Sequence, residues 1–377
     1  MAISPADMTR IRSEVGAALA EFIGRQRQDL GRISADLLPC VDAIDDLLAG
    51  GKRLRAGFCY WGWRACGGPD GREIFAAAAA LELLHASALV HDDVMDASDT
   101  RRGQPSVHRR FATRHAASGW RGSAADFGAG AAILIGDLLL AWTDEMLRAS
   151  GLAPDAVWRG LGELDAMRTE VFSGQFLDLV GQASGASAVD SALRVVTYKS
   201  AKYTVERPLH LGAELAGATR TGRPAGRGQA AIDPARGLAD RLAARQAFTD
   251  YGIPIGIAFQ LRDDILGVFG DPAKTGKPVI DDLREGKRTV MLAIARERAD
   301  ADQAAVLDRA IGDPLLSEQD ARQVRAVITG TGALAECEAM IDRNVKDALA
   351  ALDSAPITGE SKSALAELAV AATARTD

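Results

Sequence analysis

Residues 76–90 are apolar on nearly every side of any helix they can form, and the run ends in the polar stretch His91-Asp92-Asp93-Val94-Met95-Asp96. Between residues 72 and 102 there is neither Gly nor Pro, and most of the apolar positions are Ala and Leu, which are good helix formers. A helix that is apolar all round must be enclosed by other elements. Those elements also read as helices. Residues 129–147 repeat the pattern, broken only by Gly130 and Gly136. Residues 255–269 form a third apolar helix, with Pro254 near its start and Gly270-Asp271-Pro272 as its stop. Residues 288–298 and 333–352 are amphipathic at helical spacing. Strand-like alternation is scarce, and residues 194–205, with their Val, Thr and Tyr, are the one ambiguous run. Residues 113–130 and the Gly- and Arg-rich residues 216–237 read as loops, the second as a mobile insertion. The expectation is an all-α chain, a single large helical bundle over residues 1–377.

The 377 residues suffice for a large core, with 47% hydrophobic and 25% charged. A net charge of −7 argues against a nucleic-acid binder. Cys40, Cys59, Cys66 and Cys337 show no CxxC spacing and read as reduced thiols rather than a disulfide framework. The first 29 residues are polar and charged, unlike a signal peptide. No eighteen apolar residues run uninterrupted, so no membrane span is expected and the expected location is the cytoplasm.

The acids carry the chemical reading. Asp92 and Asp96, at i and i+4, share one helical face, while Asp93 lies about 100° round. A second pair, Asp263-Asp264, follows Gln260-Leu261-Arg262 in another apolar helix. Carboxylates in such surroundings are costly unless a cation neutralises them. Acids at a helix C-terminus also oppose its dipole. Two facing acid pairs suit Mg2+, which takes oxygen ligands and shares them with phosphate. Basic knots follow in loops: Gly51-Lys52-Arg53-Leu54-Arg55, Arg101-Arg102-Gly103, Gly276-Lys277-Pro278 and Gly286-Lys287-Arg288-Thr289. Each alone is an ordinary solvated loop. Together they fit a cavity for two anionic ligands bridged by metal.

These motifs, in this order and with Leu84-His85, Lys199-Ser200, Phe259-Gln260 and Asp281-Asp282 between them, resemble the trans-isoprenyl diphosphate synthases of the polyprenyl synthetase family. The extended wording is similar to actinobacterial geranylgeranyl diphosphate synthases. The resemblance implies a helical bundle of the isoprenoid synthase type around a central cavity. It implies head-to-tail condensation of isopentenyl diphosphate with an allylic diphosphate. Asp92 and Asp96 would bind two Mg2+ and Asp263 a third, with Asp93, Asp264 and Asp281 beside them. Arg101, Lys199, Gln260, Lys277 and Lys287 would contact the allylic diphosphate. Lys52, Arg55, His85 and Arg102 would hold isopentenyl diphosphate, with Arg53 and Ser200 in the same substrate-contacting set. Turnover would rest on Asp92, Asp96, Asp263, Lys199 and Lys287. A homodimer is implied as well.

Two positions depart from the family pattern: Gly267 where a third acid is common, and Ser200 where Thr is common. A class I terpene cyclase shares the first acid motif, but Ile265-Leu266-Gly267-Val268 stands where its second metal motif would continue. A non-catalytic subunit would be expected to lose metal aspartates, and both pairs are present. Product length is expected to be set along the helix behind Asp92, where Ala88 and Ser87 are small and Leu84, about 12 Å back, is the next obstacle. Twenty carbons is the expected product, with farnesyl diphosphate or longer chains as the alternative.

Overall fold

The computed structural model describes residues 5–185, 188–217, 234–270 and 280–373, with residues 5, 6, 234–241 and 281 described for their backbone alone. Lys277 and residues 218–233 of the Gly- and Arg-rich stretch lie outside the described residues, as does the side chain of Asp281.

The described chain is helical nearly throughout. In order come α1 (Pro5–Ile33), a 3-10 turn (Ala35–Leu37), α2 (Leu38–Leu48), α3 (Leu54–Ala65) and α4 (Arg72–Met95). A two-stranded hairpin follows, β1 (Thr100–Arg101) and β2 (Gln104–Pro105), then α5 (Val107–Ala117), α6 (Ala124–Arg148), α7 (Pro154–Ser184) and α8 (Val189–Val195). Next are a π-helix (Val196–Glu206), α9 (Arg207–Ala216) and α10 (Pro234–Phe269). The last elements are α11 (Asp281–Arg284), α12 (Val290–Arg298), α13 (Ala301–Ala310), α14 (Glu318–Gly330), α15 (Ala333–Ser354) and α16 (Gly359–Thr373).

The all-round apolar helix is α4, and it is central. Ala77, Ala78, Ala79, Ala80, Leu81, Leu83 and Leu84 are all fully buried. Helices α1, α3 and α6 pack most extensively around it, with α2 and α5 also in contact. A second apolar cluster surrounds α12, whose Val290 to Ala295 are buried against α10, α14 and α15. The long α10 serves both clusters: Phe248, Tyr251 and Ile255 belong to the first, and Leu261, Ile265 and Val268 to the second.

Three sequence expectations are corrected. Residues 113–130 are mostly helix, with only residues 118–123 between α5 and α6. The glycines there do different jobs. Gly119 and Gly122 take φ of +61° and +96° in the turn, whereas a Cβ on Gly128 would stand 2.2 Å from the His108 carbonyl, so Gly128 is where α6 crosses α5. Ser123 caps α6 by accepting the Asp126 N–H. The ambiguous run 194–205 is neither strand nor ordinary α-helix but the end of α8 and the π-helix. The third apolar helix begins at Pro234, and Pro254 sits inside it.

By length and composition, α4 and α6 could each cross a membrane, although neither contains eighteen uninterrupted apolar residues. The apolar window of α4 is 72% buried inside the protein, and that of α6 28%. The open face of α6 carries exposed Phe127, Ile133 and Leu134, and α7 exposes Trp158, Phe176 and Val180. All four cysteines are free thiols, two of them buried.

Candidate active site: an acid pole and a basic pole in one cavity

A cavity of about 850 Å³ opens between α3, α4, α7, the π-helix and α10. Its walls include Asp92, Asp263 and Asp264, so the two acid motifs, remote in sequence, share one space. Lys52, Arg53, Arg55, His85, Arg101, Arg102, Lys199, Ser200, Gln260 and Lys287 line it too.

At the acid pole, Asp92 leaves the last turn of α4 and Asp96 caps that helix. Burial, then the charge of Asp92, raises the Asp96 carboxyl to about 7, against the pull of Lys287 and Lys199. Burial also raises Asp264 to about 7, helped by Asp263 and Asp282, although Gln260 donates to its Oδ1 at 2.8 Å. Lys199 lies 2.6 Å from Asp178 and 3.5 Å from Asp92. Burial works against the Lys287 ammonium, but Asp282 and Glu285, each at 2.8 Å, hold its pKa well above the usual value. Ser200 donates to Gln260 Oε1 at 2.7 Å, joining the π-helix to α10.

This donor set fits a hard divalent cation shared with phosphate. Asp92 Oδ1 is buried and accepts no hydrogen bond. Among the described residues no three acids, imidazoles or thiols gather tightly enough to chelate a metal alone. Mg2+ is held in that way, by one or two carboxylates completed by substrate phosphates.

The basic pole is built on the start of α3 and the hairpin. Arg55 donates to Thr204 Oγ1 at 3.0 Å and stacks over the Tyr203 ring at 4.3 Å, while its buried Nε has no partner. The Tyr203 hydroxyl meets His85 Nδ1 at 3.3 Å. Burial, then the charges of Arg55, Arg102, Arg101 and Arg53, push His85 well below the usual imidazole range, so its ring is neutral. Arg102, at a left-handed φ of +52° in the hairpin turn, is held by the carbonyls of Leu47 and Ala49, both at 3.2 Å.

The geometry changes several expectations. Asp93 does not line the cavity: it is 2% exposed and accepts Arg101 Nε at 3.0 Å and Arg101 Nη2. It anchors the arginine and does not face the cavity beside Asp92. Arg53 lines the wall, yet its guanidinium is committed to Glu82 at 2.9 Å and to the Leu48 carbonyl. It is a buried structural cation, not a free substrate contact. Of the three residues expected to set product length, only Ala88 lines the cavity. Leu84 and Ser87 are fully buried, and Ser87 Oγ donates to the Gly136 carbonyl on α6 at 2.8 Å. A Cβ at Gly267 would stand 2.0 Å from Asp282 Oδ2, so the neighbouring carboxylate fills the place where a third acid is common.

The sequence reading passed over Gln175 and Asp178 on α7, Tyr203 and Thr204, and gave Asp282 of the Asp281-Asp282 motif no role, yet all of these line the cavity. Gln175 and Asp178 carried a signal: two polar residues at i and i+3 between the apolar pairs Val171-Phe172 and Leu179-Val180. Tyr203 and Thr204 carried none, because only the helix type reveals which way they face.

A family model for polyprenyl synthetases matches residues 39–328. The chain is 32% identical to a geranylgeranyl diphosphate synthase of Mycobacterium tuberculosis, over 93% of this chain and 91% of that one. It is also 32% identical to a geranylfarnesyl diphosphate synthase of Aeropyrum pernix, over 84% of this chain and 88% of that one. Among solved structures, a geranylgeranyl pyrophosphate synthase from Corynebacterium glutamicum, complexed with isoprenyl diphosphate and magnesium, superposes with a TM-score of 0.87. It is 38% identical, covering 97% of this chain and 98% of that one. With an acid pole and a basic pole meeting in one helical cavity, the chain belongs to the polyprenyl synthetase family and is a prenyltransferase.

Proposed function

We propose that the protein condenses isopentenyl diphosphate with an allylic diphosphate, head to tail, to give all-trans geranylgeranyl diphosphate. The observation that carries this reading is the convergence of Asp92, Asp263 and Asp264 with Lys199, Lys287, Arg55 and Arg102 on one cavity. The similar synthases from Mycobacterium and Corynebacterium support the twenty-carbon product.

Asp92, Asp96 and Asp263 would hold three Mg2+ together with the allylic diphosphate. Bound there, magnesium supplies Lewis-acid neutralisation of the leaving diphosphate. Lys199 and Lys287 add ammonium charge at the same pole, and Asp178 keeps Lys199 on the Asp92 side. Charge placed beforehand where negative charge develops lowers the barrier to C–O cleavage. Arg55, Arg102 and Lys52 bind the second diphosphate, and neutral His85 offers it a hydrogen bond without adding charge. The double bond of isopentenyl diphosphate attacks the allylic carbon, the new C–C bond forms, and a proton passes to the departing diphosphate.

The exposed apolar faces of α6 and α7 suit a two-fold interface between copies of this chain, and we place the enzyme in the cytoplasm. The test is product chromatography after incubation in Mg2+ with isopentenyl diphosphate and, separately, dimethylallyl, geranyl or farnesyl diphosphate. A twenty-carbon product is expected. Failure of every primer to consume isopentenyl diphosphate refutes the reading.

A further inference from the structure

Six cavity-lining residues fall on consecutive turns at one spacing: Val195, Lys199 and Tyr203 form one row, and Val196, Ser200 and Thr204 form the next. An ordinary α-helix would wind these rows steadily forward. At 3.6 residues per turn, each step of four drifts about 40°, so the ends of each row would stand about 80° apart. The segment Val196–Glu206 is instead π-helical, with i→i+5 closure, as where the Arg207 N–H donates to the Lys202 carbonyl. At about 4.4 residues per turn, each step of four falls about 33° short of a full turn where an α-helix overshoots by about 40°, so the wider turn re-aims the residues four apart. One row therefore runs from Lys199, beside Asp92 and Asp178, to Tyr203 on His85. The other runs from Ser200 on Gln260 to Thr204 on Arg55. This single segment touches both poles.

A wider helix needs room, and its neighbours supply it with glycine. A Cβ on Gly174 of α7 would lie 2.4 Å from Lys199 N. On Gly256 of α10 it would lie 2.4 Å from Ala201 Cα, and on Gly252 2.8 Å from Glu206 Cα. All three are closer than the 3.0 Å that real Cβ atoms respect. The side facing away from the cavity is pinned by Lys202, which pairs with Glu170 at 2.7 Å and Glu206 at 3.2 Å.

We propose that Gly174, Gly252 and Gly256 are positioning residues: they admit the wide turns of the π-helix and so fix the angle between Lys199–Ser200 at the acid pole and Tyr203–Thr204 at the basic pole. The consequence for catalysis rests on the prenyl-transfer reading, whereas the consequence for the helix does not.

The test compares Gly174→Ala and Gly256→Ala with two controls. Gly212→Ala is equally crowded, its Cβ falling 2.0 Å from the Cys59 carbonyl where α9 crosses α3, away from the cavity. Gly162→Ala on α7 meets nothing within 4 Å. Melting temperature, kcat, both KM values and hydrogen exchange of peptides covering residues 196–206 are measured where every variant is folded. Gly174→Ala, Gly256→Ala and Gly212→Ala should all melt earlier, and Gly162→Ala should not. Only Gly174→Ala and Gly256→Ala should lose kcat, by tenfold or more, and exchange faster across 196–206. If Gly174→Ala does not fold, Gly256→Ala and Gly252→Ala decide the matter. Parental kcat and exchange in the variants beside the π-helix, with stability lost as in Gly212→Ala, would overturn the proposal. Should the parent itself fail to turn over, the exchange measurement still decides: unchanged protection of residues 196–206 overturns it.

Discussion

Arg53 and Glu82 form a buried ion pair at 2.9 Å, with side chains only 8% and 6% exposed. Replacing Arg53 with Met removes the cation and strands the Glu82 carboxylate in the wall between α3 and α4. Breaking such a pair from one side costs about 3–5 kcal/mol, because the remaining charge has neither water nor partner. For a chain of 377 residues the unfolding entropy is about 0.8 kcal/mol/K, so the melting temperature should fall by about 4–6 °C. Adding Glu82→Leu removes the stranded charge, and an apolar pair of similar volume is often neutral or better. The double variant should therefore recover most of the loss. Differential scanning calorimetry supplies the stability readout, and steady-state kinetics with varied isopentenyl diphosphate supplies the functional one. In the double variant KM should change by less than about fivefold, as for a charge acting at a distance through under ~1 kcal/mol. A single variant with parental stability and a much weakened KM would show that Arg53 grips the substrate, and the structural assignment would fail.

Other outcomes follow from the same geometry. Asp92→Ala should cut turnover in Mg2+ by orders of magnitude while thermal melts of the metal-free protein show no loss of fold; near-parental activity would remove Asp92 from the metal site. Ala88→Phe, at the cavity wall, should shorten the main product by at least one isoprene unit on chromatography, whereas Ser87→Phe, fully buried against α6, should chiefly lower the melting temperature. Burial, then Arg245, depresses His210 to about 4. From pH 6.5 down towards 4 the unfolded chain therefore takes up a proton that the folded chain refuses, and stability falls on acidification by up to about 3 kcal/mol while staying flat above 6.5. Melts between pH 7.5 and 5 should show a smaller loss in His210→Gln than in the parent. Sedimentation at micromolar concentration should give a dimer, and a monomer would leave the apolar faces of α6 and α7 unexplained.

Much of the site was legible in the sequence because its signals are local. Helical spacing alone places Asp92 and Asp96 on one face of α4, and Ala- and Leu-rich composition alone requires that helix to be enclosed. Pairing between side chains of different elements was not legible. That Asp93 holds Arg101, that Glu82 takes Arg53, and that Asp178 shares Lys199 with Asp92 depend on which helices and turns meet, and a charge carries no record of its partner. Glycine was ambiguous for a related reason. Gly122 turns a loop and Gly128 admits a crossing helix, yet both read as loop until the neighbour is known. The π-helix lies furthest beyond sequence reach. Its eleven residues suit a strand or a helix equally, and none of them marks the wider turn. The choice fell to packing, because the wide turns fit only where Gly174, Gly252 and Gly256 leave room for the backbone.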